Sequence, residues 1–175
     1  MKLYHYVSKP NNVLEKGLLS FAANPQADLS YYFKRSGATT HQGIVDWMET
    51  CFEGRSRAVR CFSEPIQYTP KSVKMFKNFL AESDLFSINL SALVEDKLIE
   101  GIYVSPAIKV TNPKDIPHNV DEELIKLGCV DEIDFSPVDW SVCDDELGLR
   151  FSVIPYYLLI IKGGIIPPRY LTLEK

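Results

Sequence analysis

Polar and apolar positions alternate in a short run at the start of the chain, shift to a three-to-four-residue period through its first half, and merge into a nearly unbroken apolar run before the C-terminus. Residues 2–7 put Tyr4 and Tyr6 on one face and Leu3, His5 and Val7 on the other, the two-residue repeat of a strand. Ser8 and Pro10 open a short helix that Lys16 and Gly17 close, since a basic last turn and a following glycine both suit a helix end. A second helix is expected from Asn24-Pro25, with Leu29, Tyr32 and Phe33 at i, i+3 and i+4 and Gly37 as its stop. The third is the clearest. Thr39 and Gln42 read as a capping box, Ile44, Trp47, Met48, Cys51 and Phe52 form one apolar stripe, and Gly54 ends it.

A β-prone run over 57–63 follows and stops at Ser63-Glu64-Pro65. Thr69-Pro70 starts another helix by the cap-then-proline rule, with Val73, Phe76 and Leu80 on its buried side. Residues 85–90 alternate as a strand with Phe86, Ile88 and Leu90 inward, Ser91 caps a brief helical turn, and 98–104 returns as a strand. Pro106, Pro113 and Pro117 make 105–118 a loop, a short helix is expected over 120–127 before Gly128, and 130–146 is an acidic loop. Residues 150–154 and 156–162 read as strands. Gly163-Gly164 then predicts a hairpin turn into 170–173, widened by Pro167-Pro168. Helices mainly in the first half and strands mainly in the second define the α+β class. The length fits a single domain over residues 1–175. Neither a regular strand–helix–strand repeat nor a glycine-rich phosphate loop is present, which turns the reading away from Rossmann and P-loop folds.

Composition adds limits. A content of 46% apolar and 24% charged residues is that of an ordinary globular protein. A net charge of −4 argues against a general nucleic-acid binder but leaves room for a local basic patch. Lys34, Arg35, Arg55, Arg57 and Arg60 are the candidates for one, either as a solvated rim or as phosphate ligands. The longest apolar run, 153–161, contains Pro155 and falls short of the roughly 20 residues of a membrane span, so no membrane partner is expected. His5, Lys9, Asn11 and Asn12 break any leader-like apolar stretch. The expectation is a soluble cytoplasmic chain, with secretion as an effector left open. Cys51, Cys61, Cys129 and Cys143 show no metal-ligand spacing among themselves or with histidine, and read as free buried thiols.

Several residues admit both a bland and a functional explanation. His5 shares a face with aliphatic residues, so its ring either bonds a backbone carbonyl or reaches a ligand hydroxyl or amide. Tyr31 and Tyr32 point about 100° apart on a helix, so one is left to solvent or to stacking on a planar ring. Ser63 and Glu64 end a strand, as turn residues or as a hydroxyl and carboxylate at a cleft. Glu100, beside Gly101 in an apolar strand, marks a sheet edge or a site. Tyr31, Trp47 and Trp140 would be the anchors if the chain were instead an unrelated α+β protein-interaction domain.

Two runs together resemble the ADP-ribosyltransferase-like superfamily. Leu3-Tyr4-His5-Tyr6-Val7-Ser8 with the later Lys16-Gly17-Leu18-Leu19-Ser20 is similar to its His-bearing first strand, helix and glycine-leucine turn, and Arg60-Cys61-Phe62-Ser63 to its middle strand; together they cover about a third of the chain. The resemblance implies a split, twisted pair of small, mostly antiparallel sheets gripping NAD. It implies an enzyme, toxins and effectors among them, that moves ADP-ribose to a protein or nucleic-acid acceptor or simply cleaves the dinucleotide. His5 would bond the ribose or carboxamide, Ser63 would support the nicotinamide pocket, Arg60 of the same strand would bind the cofactor, and Tyr31 or Tyr32 would stack on the ring. A carboxylate would hold the ribose hydroxyl as an oxocarbenium-like charge develops. The superfamily places that acid on a late strand, and 156–162 contains none, so Glu100 and Glu64 are the candidates. A domain that keeps the scaffold and binds a nucleotide or protein without catalysis is the alternative.

Overall fold

The structure is a computed structural model that describes residues 1–67, 74–105, 125–128, 130–133, 137 and 156–174, without the side chains of Tyr31 and residues 74–77. Its elements in chain order are β1 (Lys2–Ser8), α1 (Val13–Lys16), β2 (Leu18–Leu19), α2 (Ser30–Ser36), α3 (His41–Cys51), β3 (Ala58–Cys61), α4 (Lys74–Ala81), β4 (Ser83–Asn89), α5 (Leu90–Glu95), β5 (Ile99–Ser105), β6 (Ile125–Leu127), β7 (Tyr156–Ile161), β8 (Ile165–Ile166) and β9 (Leu171–Leu173). Among the described residues every strand pairing is antiparallel and every α-helix lies between Val13 and Glu95, which makes the fold α+β.

The strands form a three-stranded sheet, β1-β4-β9, a four-stranded sheet, β3-β7-β5-β6, and a small pair, β2-β8. β7 is the spine of the four-stranded sheet. All six of its residues are buried, which is why its sequence reads as a continuous apolar run rather than an alternation. Tyr157, Leu159 and Ile161 face the main core with Leu3, Phe86, Ile88 and Leu93. Tyr156 and Leu158 face a second cluster with Phe62 and Ile66. The two larger sheets meet edge to edge at one rung, where Tyr4 and Phe62 exchange N–H···O bonds, each 2.8 Å long.

The local signals shift where tertiary contacts compete with them. Ser8 pairs with Ser83 at the end of β1, so Asn12 and not Ser8 precedes α1. The expected second helix begins only at Ser30, after turns over 21–27, and still ends at Gly37 with φ 70°. Thr40, not Thr39, caps α3 by accepting from the Gly43 N–H, and Gln42 reaches Asp46 instead of the cap. Asn89 rather than Ser91 caps α5, which takes Leu90 out of the strand. Residues 125–127, expected as a helix end, instead extend the sheet as β6, because the open edge of β5 offers them backbone partners.

The Gly163-Gly164 hairpin also fails to form. Both glycines take positive φ, 71° and 72°, as a tight turn requires. But the strands beyond pair elsewhere, β8 with β2 and β9 with β4, so this turn carries the chain from one sheet to the other. Cys51 is exposed, correcting the expectation of buried thiols, while Cys61 is fully buried. The expected strand at 150–154, the first turn of the helix from Thr69-Pro70, most of the loop 105–118 and most of the acidic loop lie outside the described residues.

Leu159 is wholly buried between β3 and β5. Leu159→Ala is expected to lower stability by about 2–5 kcal/mol in a denaturant titration, as a core truncation that leaves a cavity. Burial pushes the Cys61 thiol up and out of the reactive range. Iodoacetamide at neutral pH should therefore alkylate Cys51 in the native protein and reach Cys61 only after unfolding, as read by peptide mapping.

Candidate functional site

Beyond the Tyr4–Phe62 rung, β1 and β3 diverge. The next rung of an antiparallel ladder would use the Arg60 carbonyl. Here that carbonyl accepts instead from the ring of His5, whose Nδ1 lies 2.5 Å away. A carbonyl can only accept, so the proton sits on Nδ1 and the neutral ring presents Nε2 as an acceptor. Burial lowers the imidazole below its ordinary 6.5; the Arg60 carbonyl opposes the shift, and the Arg60 charge adds to it. The backbone-carbonyl partner expected for His5 is thus present at one ring nitrogen. Nδ1 is satisfied by backbone, while the residue lines a hollow.

That hollow, about 220 Å³, opens in the fork between the sheets. His5 and Arg60 come from the diverging strands, Phe21 from the segment after β2, Tyr32 and Arg35 from α2, and Arg55 from the turn before β3. Three guanidinium groups and the neutral His5 ring therefore line it, and no carboxylate among the described residues does. Phe21 and Tyr32 form its aromatic wall, and His41 and Trp47 pack behind them. Phe21 stacks on His41 at 4.8 Å, meets Tyr32 edge-on at 4.9 Å, and Tyr32 is 6.5 Å from Trp47. Arg55 lies 4.8 Å over Trp47 and Arg60 lies 4.4 Å over Tyr156, so both guanidinium planes are seated on rings.

Arg55 owes its place to Glu49. From α3 this carboxylate accepts from the N–H of Gly54 at 2.7 Å, from the N–H of Ser56 at 3.1 Å and from the Ser56 hydroxyl. Partial burial raises its pKa, but these bonds together with the Arg57 charge bring the group below the ordinary range. Gly54 makes the turn at φ 84°, where a Cβ would meet Ile160 Cγ2 at 2.5 Å.

Other expected members do not join. Ser63 and Glu64 follow the rung, half-buried, and neither lines the hollow. The N–H of Ile66 donates to the Tyr6 hydroxyl at 2.9 Å, drawing this segment toward the opposite face of β1. Glu100 sits at a bulge in β5, beyond the residues of that strand that pair with β6, and is ion-paired with Arg57. It lines a separate cavity of about 240 Å³ with Glu53, Tyr103 and Lys126. Neither Glu100 nor Glu64 lines the hollow with His5. The Tyr31 side chain lies outside the described residues, whereas Tyr32 lines the hollow. Phe21 was not legible as a lining residue, because nothing in its local sequence separates it from other loop aromatics, and Trp47 was singled out only as an anchor for a protein partner. Comparison with known proteins finds no matching family model, curated relative or solved structure.

The unfolded chain binds a proton at His5 near pH 6.5 and the folded chain only below that. Stability is therefore expected to fall as pH drops through 6.5 toward the lower folded value, and to be fully restored above it. His5→Gln should flatten this dependence in denaturation midpoints measured from pH 7.5 to 5, about the range in which an imidazole titrates. Gly54→Ala should cost about 1–3 kcal/mol for the left-handed backbone, on top of the clash with Ile160.

Proposed function

We propose that the chain is an ADP-ribosyltransferase-like enzyme that holds NAD in the fork between its two sheets and cleaves it or transfers ADP-ribose to a protein or nucleic acid. The observation that carries this reading is the convergence of His5, Tyr32 and Arg60 on one hollow. The residues suit the ligand chemically. Neutral His5 accepts from a ribose hydroxyl at Nε2. Arg35, Arg55 and Arg60 suit a pyrophosphate, and the ring-seated guanidinium groups lose little freedom on binding. Tyr32, in the aromatic wall, provides a ring for a flat heterocycle. At about 220 Å³ the hollow is smaller than an ordinary ligand site, roughly 300–1,000 Å³, and so takes one half of the dinucleotide while the rest lies along its mouth. When bound, NAD supplies a labile glycosidic bond. The chain's own residues orient the ribose, neutralise the phosphates and shield the ring from water. No helix among the described residues is long and apolar enough to cross a membrane, and we assign the protein to the cytoplasm.

A second reading keeps the ligand and drops the chemistry. Glu100 is engaged by Arg57 elsewhere, and no described carboxylate lines the hollow. Such a domain binds a nucleotide, or a partner through it, without turnover.

Melting temperature and nicotinamide release measured with NAD separate the two. The enzyme gives stabilisation with release, the silent domain gives stabilisation alone, and the absence of both removes NAD from the account. His5→Ala and Arg35→Gln should each weaken NAD binding by about tenfold or more, the worth of a hydrogen bond to a charged or buried group.

A further inference from the structure

Helix α2 carries residues on its outer side that the hollow does not use. Phe33 is 48% exposed, and Lys34 and Arg35 beside it are exposed. Successive residues turn by about 100° round a helix. Starting from Tyr32 at the hollow, the path therefore passes Phe33 and Lys34 on the solvent side and returns at Arg35, which lines the hollow again. An apolar ring on the surface is thus followed by an ammonium and a guanidinium that lead to the site, where Arg55 and Arg60 continue the positive charge. Two carboxylates among the described residues of this half of the chain bond their own turns. Asp28 accepts from the N–H and hydroxyl of Ser30, each at 2.9 Å, and Glu49 holds Gly54 and Ser56. In a chain of net charge −4 this concentration of positive charge is local and directional.

We propose that this face of α2 docks a single-stranded polynucleotide, with a base stacked on Phe33 and phosphates on Lys34 and Arg35, so that the strand leads to the mouth of the hollow. It deepens the preceding reading, on which it rests, by naming the acceptor class. Charge complementarity selects a polyanion. The exposed ring selects one with flat apolar faces, which an acidic peptide lacks and a duplex keeps stacked inside.

The test is fluorescence anisotropy of the full chain with labelled oligothymidylate and oligouridylate of about 12 nucleotides, within the roughly 4–16 that such sites cover. The same strand as a duplex and polyglutamate serve as competitors. Binding to either single strand that weakens with salt, is lowered about tenfold by Phe33→Ala, and shows a shallower salt dependence in Lys34→Gln is the expected result. Stabilisation by NAD should be unchanged in Phe33→Ala, which is outside the hollow. No single-strand binding, an unaffected Phe33→Ala, equal affinity for duplex, or stronger competition by polyglutamate overturns the proposal while leaving the NAD reading intact. Strand binding with no response to NAD overturns the acceptor role.

Discussion

Two hydrogen bonds between Tyr4 and Phe62 join the principal sheets at a single rung, and the candidate site exists because the ladder stops there. Had it continued, the Arg60 carbonyl would have been consumed by backbone and the strands would have closed the fork. Instead a side chain takes over that acceptor. His5 thereby satisfies a polar group that would otherwise be costly to leave unpaired, and its own tautomer is fixed by the same bond. One contact resolves the backbone problem of the split and orients the imidazole at the hollow.

The surrounding charge is arranged with similar economy. Arg55 and Arg60 rest on the rings of Trp47 and Tyr156, which orders their guanidinium groups. Glu49 is drawn into the turn that carries Arg55. Glu100 is drawn across the sheet to Arg57 and away from the fork. The result is a hollow in which basic and aromatic side chains stand beside an aliphatic floor, a combination suited to a phosphate next to a flat ring.

Behind the site, β7 gives the sheet its rigidity. A strand buried on both faces between two partners presents no polar surface, so β3 is held from behind while its front edge is left to diverge from β1. The Gly163-Gly164 turn then hands the chain to the other sheet. Gly164 sits against Ser20, whose backbone N–H donates to its carbonyl at 2.8 Å, so the end of the β-rich segment also buttresses the lining of the hollow.

The class of fold and the placement of most elements were written in local pattern. The alternation in β1, the stripe of α3, the apolar run of β7 and the positive-φ glycines each express a constraint that neighbouring residues impose on one another. His5 and Tyr32 were legible for the same reason: a polar ring on an apolar face and an extra aromatic on a helix are local anomalies. What remained hidden depends on pairing between distant segments. Whether Gly-Gly makes a hairpin or a crossover, whether 125–127 is helix or strand, and whether Glu100 meets His5 or Arg57 are decided by which strand edge is open and which charge lies across the sheet. Those quantities come into being only when the chain is folded.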